Sequence, residues 1–199
     1  MSNPSLPDHP KKALRQQALD LRSQLPIEAI SLDIRSHLSL WPLFKAAGQI
    51  LFYHPFRNEV DLTPLVEQFP HKRWYLPTVV SKDHLEFFHY HPEHRLNHGK
   101  YGIQEPHTDS DRLSAIQPGD ILLAPGLMFD RRGYRLGYGK GFFDKFLNAM
   151  AQAGHDLIRV GVAPGALVQP LLPADSWDIP MQYIATEVGI LFAEGTQSP

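Results

Sequence analysis

Apolar positions along this chain recur with two different periods. Leu14, Ala18, Leu21 and Leu25 fall at i, i+4, i+7 and i+11, a single stripe that predicts an amphipathic helix beginning at Lys11. Pro26 suits the first turn of a second helix, IEAISLDIRSHLSLW (27–41). From residue 49 the pattern changes to short apolar runs bounded by breakers: QILFYH (49–54), RWYLPTVV (73–80), LEFFHYH (85–91), DILLAPG (120–126), LIRVGVA (157–163) and ATEVGILFA (185–193). Most are Ile-, Val- and Leu-rich without clean alternation, as strands covered on both faces should be. LEFFHYH does alternate and predicts an antiparallel excursion. Helical patterns are expected at 61–69, 110–117 and 142–154, the last with Gly154 where a C-terminal glycine cap belongs.

Helices first, then strands alternating with helices, predict an α/β fold with a mostly parallel sheet. There is no internal repeat, low-complexity tract or linker. One domain over residues 11–193 is expected, with a proline-bearing tail at 1–10 and a short C-terminal tail at 194–199.

Composition acts mainly by exclusion. A 199-residue chain with 43% hydrophobic and 20% charged residues can bury a full core. The net charge of −2 gives no global attraction to nucleic acid or anionic membrane. Cysteine is absent, so thiolate chemistry is excluded and any metal must be held by oxygen or imidazole. The polar start MSNPSLPDHPKKALRQQ lacks the apolar core of a signal peptide, and no apolar run is long enough to span a bilayer. A cytoplasmic protein without membrane partners is expected.

The densest chemistry lies in LLAPGLMFDRRGYRLGYGKGFFDKFL (122–147). A buried strand ending at Pro125, a long loop and a helix starting near Gly141 are expected there. Gly137, Gly139 and Gly141 would let backbone amides approach an anion, and Arg135 and Lys140 add charge at the same place. Neither a Walker A loop nor a dinucleotide fingerprint fits, because Gly141 follows Lys140 and the glycines run GxGxG. A phosphate cradle, a purely structural loop and an RNA-stacking surface all remain open on local physics. Asp144, in the first turn of the helix, reads equally as a dipole-complementing carboxylate or as a Mg²⁺ ligand.

Three weaker signals accompany the loop. Lys11, Arg15 and Arg22 project within about 40° of one another on the first helix, forming either a solvated edge or one that faces the same anion. Glu59 and Asp61 follow the strand QILFYH, as pocket carboxylates or as helix-start residues. His89 and His91 have H-x-H spacing that could bind zinc, with no third ligand evident.

Taken together, these residues resemble the 5-formyltetrahydrofolate cyclo-ligase family. The segment PGLMFDRRGYRLGYGKGFFDKFL carries the resemblance. KKALR (11–15), EVD (59–61), GIQEP (102–106) and LPADSWDIPMQYIATE support it in the same order. Phe142 and Phe143 stand where the family usually has tyrosines, which removes the hydroxyls and keeps the rings.

The resemblance implies a three-layer α/β/α sandwich related to sugar-phosphate isomerase and CoA-transferase-like domains. It also implies an ATP- and Mg²⁺-dependent, C–N bond-forming ligase of one-carbon metabolism that converts 5-formyltetrahydrofolate to 5,10-methenyltetrahydrofolate. ATP contacts fall by position on Lys11, Lys12, Ala13, Leu14 and Arg15. They continue on Arg135, Leu136, Gly137, Tyr138, Gly139, Lys140, Gly141, Phe142 and Phe143. Lys140 and Arg135 would stabilise the transferring phosphoryl group. Folate contacts fall on Arg15, Phe56, Glu59 or Asp61, and Tyr138 to Phe142, with Arg15 touching both ligands. Mg²⁺ falls on Asp144 and Asp178. The implied partner is the reduced folate, with or without a polyglutamate tail, and the implied state a monomer without nucleic acid. The readings from other classes are a non-catalytic phosphate- or RNA-binding module and a sugar-phosphate isomerase-like enzyme.

Overall fold

A computed structural model describes residues 9–81, 84–99 and 101–195. Most of the expected tails, 1–8 and 196–199, therefore lie outside the described residues. The first helix, α1 (His9–Ser23), starts two residues before Lys11. It is followed by α2 (Ile27–Leu40), α3 (Pro42–Ala46), β1 (Gln49–Leu51), α4 (Pro64–Gln68), β2 (Arg73–Val79) and β3 (Leu85–His89). Then come a short ribbon, β4 (Asn97–His98) and β5 (Gln104–Glu105), and the strands β6 (Ile121–Pro125), β7 (Met128–Asp130) and β8 (Arg135–Leu136). The chain ends with α5 (Phe142–Gln152), β9 (Ile158–Val162), β10 (Val168–Gln169), β11 (Tyr183–Thr186) and β12 (Gly189–Phe192).

Seven strands form the central sheet in the order β12-β11-β9-β6-β1-β2-β3. The five inner strands are parallel and both edges antiparallel. The excursion expected of LEFFHYH is thus the edge strand β3. One sheet face packs Ile50, Trp74, Ile121 and Val160 against Ile34 and Leu38 of α2, Phe44 of α3 and Leu65 of α4. The other packs Leu51, Tyr75, Leu122 and Ile184 against Leu147 of α5. Helices on both faces explain why these strands read as continuous apolar runs: neither side meets water.

The stripe of α1 has a different destination. Leu14, Ala18, Leu21 and Leu25 pack on Leu127, Met128, Leu136 and Leu167, in a separate cluster around the small sheet β10-β7-β8. Three expectations change here. Segment 110–117 is extended instead of helical: the His89 amide donates to the Asp111 carbonyl and the Leu113 amide to the Phe87 carbonyl. A helix that short needs tertiary support, and the open edge of β3 offers hydrogen bonds instead.

Residues 185–193 are not one strand but the β11–β12 hairpin, reversed before Gly189, whose φ of 139 suits glycine. The long loop expected after Pro125 contains the β7–β8 hairpin. Asp130, fully buried, organises its turn by accepting from the Arg132, Tyr134 and Leu172 amides and from the Arg132 guanidinium. Gly154 follows α5 with φ 73, as a glycine cap does.

Strand order reverses between β1 and β6, because the chain runs outward through β2 and β3 on one side and through β9 and β11 on the other. In open α/β sheets a ligand crevice is expected outside the carboxyl ends of the strands at that point. Among the described residues, no helix is long and apolar enough to cross a membrane.

Candidate functional site

A cleft of about 300 Å³ opens where the strand order reverses. The chain leaving β1 supplies Tyr53, His54, Phe56, Arg57 and Glu59; Pro77 and Val79 come from β2, and Pro125 and Gly126 from the end of β6. The far wall is the segment Arg135 to Asp144, with Tyr101, Ile103 and Glu105 closing the mouth.

The glycine loop lies open toward this space. Among the described residues, none of the backbone amides from Gly137 to Asp144 has a hydrogen-bond acceptor within the chain. Gly139 has φ 96 and Gly141 φ 66. A Cβ on Gly139 would stand 3.3 Å from the Arg15 guanidinium, so glycine supplies both the backbone angle and the room. Arg15 Nε donates to the Gly137 carbonyl at 3.0 Å, fixing α1 against the loop. Lys140 is exposed at the cleft mouth, with Nζ 5.8 Å from the Tyr101 ring centroid. Free amides at the start of an eleven-residue helix, beside two cations, make a strong anion site.

The basic edge of α1 is therefore not a solvated face. Lys11 Nζ meets Asp175 at 2.5 Å and Asp178 at 3.3 Å. Arg22, 2% exposed, donates to the Tyr138 hydroxyl at 2.7 Å and lies 3.9 Å from Glu59 Oε1. Lys12 and Ala13 point outward, whereas Leu14 and Leu136 belong to the small apolar cluster.

Arg135 has only 5% of its side chain exposed and pairs with Asp144 at 2.7 Å, so its charge is already engaged. Its Nη1 is buried without a partner. Asp178 sits beside α5 as well: Asn148 Nδ2 donates both to the Asp144 carbonyl and to the Trp177 carbonyl. Asn148 thus ties the first turn of α5 to the segment that carries Asp178, and each of the two carboxylates holds a cation of the protein.

Glu59 and Asp61 separate cleanly. Asp61 accepts from the amide and hydroxyl of Thr63, a helix-start carboxylate outside the cleft lining. Glu59, 7% exposed, lines the cleft and accepts from the Phe56 amide. Burial pushes its carboxyl up to about 7, against the pull of Arg22, the Phe56 amide and the Tyr138 hydroxyl. Burial and the Glu59 charge push the Tyr138 phenol up to about 12.

Sequence reasoning missed several wall residues. Glu105 is a second buried carboxylate of the cleft, 8% exposed, raised by burial against the Val79 amide. GIQEP was its only trace in the sequence. His54, Arg57 and Tyr101 carried no signal, since their place depends on loops meeting across the sheet. The histidine cluster stays apart from the cleft: His89 and His94 rings lie 5.9 Å apart, and His89 packs on Tyr75. Among the described residues no three His, Cys, Asp or Glu side chains are placed to hold a metal.

Residues 8–187 match the 5-formyltetrahydrofolate cyclo-ligase family. The chain is 32% identical over 155 residues to the 5-formyltetrahydrofolate cyclo-ligase of Escherichia coli (strain K12), covering 76% of this chain and 84% of that protein. Against the Aquifex aeolicus 5,10-methenyltetrahydrofolate synthetase structure the TM-score is 0.78 with 33% identity, covering 95% of each chain. The Mycoplasma pneumoniae 5,10-methenyltetrahydrofolate synthetase structure superimposes with a TM-score of 0.68 and 25% identity, covering 89% of this chain and 98% of that one. With its α/β sheet and the glycine loop at its switch point, the chain belongs to the 5-formyltetrahydrofolate cyclo-ligase family.

Proposed function

We propose that this enzyme closes 5-formyltetrahydrofolate to 5,10-methenyltetrahydrofolate at the expense of ATP, with Mg²⁺, releasing ADP and phosphate. In this reading the formyl oxygen takes the γ-phosphoryl group of ATP and ADP leaves, N10 of the folate forms a bond to the formyl carbon and gives up its proton, and phosphate leaves with that oxygen. The observation that carries it is the run of unpartnered amides from Gly137 to Asp144, beside Arg15 and Lys140, at the topological switch point. A triphosphate supplies the acceptors those amides lack.

The chain's own groups do what such a reaction needs. Lys140 stabilises charge on the transferring group, and Arg15 anchors the loop carbonyl at Gly137 so that the amides stay aimed into the cleft. Phe56, Tyr138 and Phe142 offer ring surfaces for a pterin, with Glu59 as the acceptor between them. Exclusion of water by these walls favours cyclisation over hydrolysis of an activated formyl group.

Mg²⁺ usually keeps several waters and takes one or two protein carboxylates plus substrate phosphates, which Asp144 and Asp178 fit. Asp144 and Asp178 would hold the ion, which when bound would offset phosphate charge. Asp144 holding the ion would share its carboxylate between the ion and Arg135. Nothing here calls for nucleic acid or a membrane, and the reading is that of a cytoplasmic monomer.

The decisive measurement mixes the protein with MgATP and 5-formyltetrahydrofolate and follows the methenylfolate absorbance band together with ADP. Growth of the band in step with ADP is the expected result. Absence of the band, or its growth without ATP, overturns the proposal.

A further inference from the structure

The cyclo-ligase reading assigns no task to Arg22, yet this is among the most buried side chains in the protein, at 2% exposure. Arginine is almost never fully buried unless paired. Here the pairing is incomplete: Glu59 lies at 3.9 Å, beyond hydrogen-bond range, and Nε is buried with no partner. Such an arrangement is poor for stability, because desolvating a guanidinium costs more than a long, partly satisfied contact returns. The neighbouring stripe positions of α1 are leucines and alanine.

What Arg22 does hold is the substrate side of the cleft. Its Nη2 donates to Tyr138 Oη at 2.7 Å, and its guanidinium lies 6.0 Å from the Tyr138 ring centroid. Tyr138 in turn packs edge-on to Phe56, at 6.1 Å between centroids. Phe56 donates its amide to Glu59 Oε2 at 3.1 Å. Arg22, Tyr138, Phe56 and Glu59 therefore close a ring of contacts linking α1, the glycine loop and the chain after β1.

We propose that Arg22 is a positioning residue for the folate: it orients Tyr138 against Phe56 and sets a positive charge beside Glu59, so that the wall presents this carboxyl group to the substrate's N–H groups. This rests on the reading that the folate occupies the half of the cleft walled by Phe56, Glu59 and Tyr138. The groups facing Glu59 are Arg22 from α1, Tyr138 from the loop and the Phe56 amide, with Tyr53 beside them and Arg57 and Asp61 acting on those tyrosines. Arg22 is the cation with a direct hold on the pair. Without it, burial alone would drive Glu59 toward its neutral acid, which is a poorer acceptor.

The test compares Arg22→Gln, Arg22→Lys and Glu59→Gln, each first checked for cooperative thermal unfolding. In Arg22→Gln the KM for 5-formyltetrahydrofolate should rise about tenfold while the KM for ATP changes by less than about twofold, the scale of one lost hydrogen bond to charge. The pH at which kcat/KM for the folate falls on the acid side should move up by about one unit. Arg22→Lys should restore much of that pH shift and little of the KM, because lysine replaces the charge without the planar fork. Glu59→Gln should abolish the acid limb.

An unshifted pH profile, with loss confined to melting temperature or equal for both substrates, overturns the proposal and makes Arg22 structural. A shifted profile with the KM effect falling on ATP keeps the Arg22–Glu59 linkage and instead overturns the placing of folate at this wall.

Discussion

Arg135 on β8 and Asp144 in the first turn of α5 are joined by a 2.7 Å ion pair across the glycine loop. The pair ties the strand before the glycine loop to the helix after it. Replacing Asp144 by Asn removes both the proposed Mg²⁺ ligand and the partner of a nearly buried guanidinium. Turnover should need about tenfold more Mg²⁺ for half-saturation, and the melting temperature should drop, since an uncompensated buried charge costs about 3 kcal/mol or somewhat less at partial exposure. An unchanged Mg²⁺ titration would remove Asp144 from the metal site.

Lys140 presents the opposite case, exposed and, among the described residues, set against the Tyr101 ring. Lys140→Ala should leave the melting temperature nearly unchanged and lower kcat by about a hundredfold or more, as loss of a group that stabilises transition-state charge does. Near-normal kcat would exclude Lys140 from the mechanism.

Gly139 tests the cradle itself. A methyl at this position meets the Arg15 guanidinium at 3.3 Å on a backbone at φ 96. Gly139→Ala should raise the KM for ATP by about tenfold through displacement of Arg15 and the loop amides. Gly119→Ala is the control: its φ is 89 but nothing lies within 4 Å of the added carbon. That variant should cost about 1 kcal/mol in stability without touching KM.

Glu59 makes stability depend on pH, and the sign follows from its raised carboxyl. Its ordinary value of 4.5 rises to about 7 on folding. The native protein therefore binds a proton that the unfolded chain has released, and this contribution is fully present below about pH 4.5 and lost as pH rises through about 7. The swing is on the order of 3 kcal/mol at most. Wild-type protein should melt higher at about pH 5 than at about pH 8 through this group, and Glu59→Gln should flatten that difference.

Much of the fold was legible because burial on both sheet faces leaves a one-dimensional trace. ILLAP is a continuous apolar run and IRVGV is broken only by Arg159, and each became an inner parallel strand. The stripe Leu14–Ala18–Leu21–Leu25 likewise announced α1. Segment 110–117 was misread because its apolar spacing suits a helix, while its hydrogen bonds go to the edge of β3, which no local window contains. The reversal in ATEVGILFA was hidden for a related reason: the chain turns in two residues, Glu187 and Val188, just before Gly189, and the apolar residues on either side mask it.

By itself the sequence determined the layering, the parallel sheet and the glycine loop with its Arg and Lys, because periodicity and backbone permissiveness are local properties. Tertiary structure alone decided which carboxylate faces the cleft, since Glu59 and Asp61 differ only in where the chain after β1 turns them. It also decided that Arg135 is paired with Asp144, that Lys11 is paired with Asp175 and Asp178, and that Arg22 is buried against Tyr138. Charge pairing and desolvation depend on distances between segments up to 167 residues apart, as between Lys11 and Asp178, and those distances exist only once the sheet has brought its strand ends together.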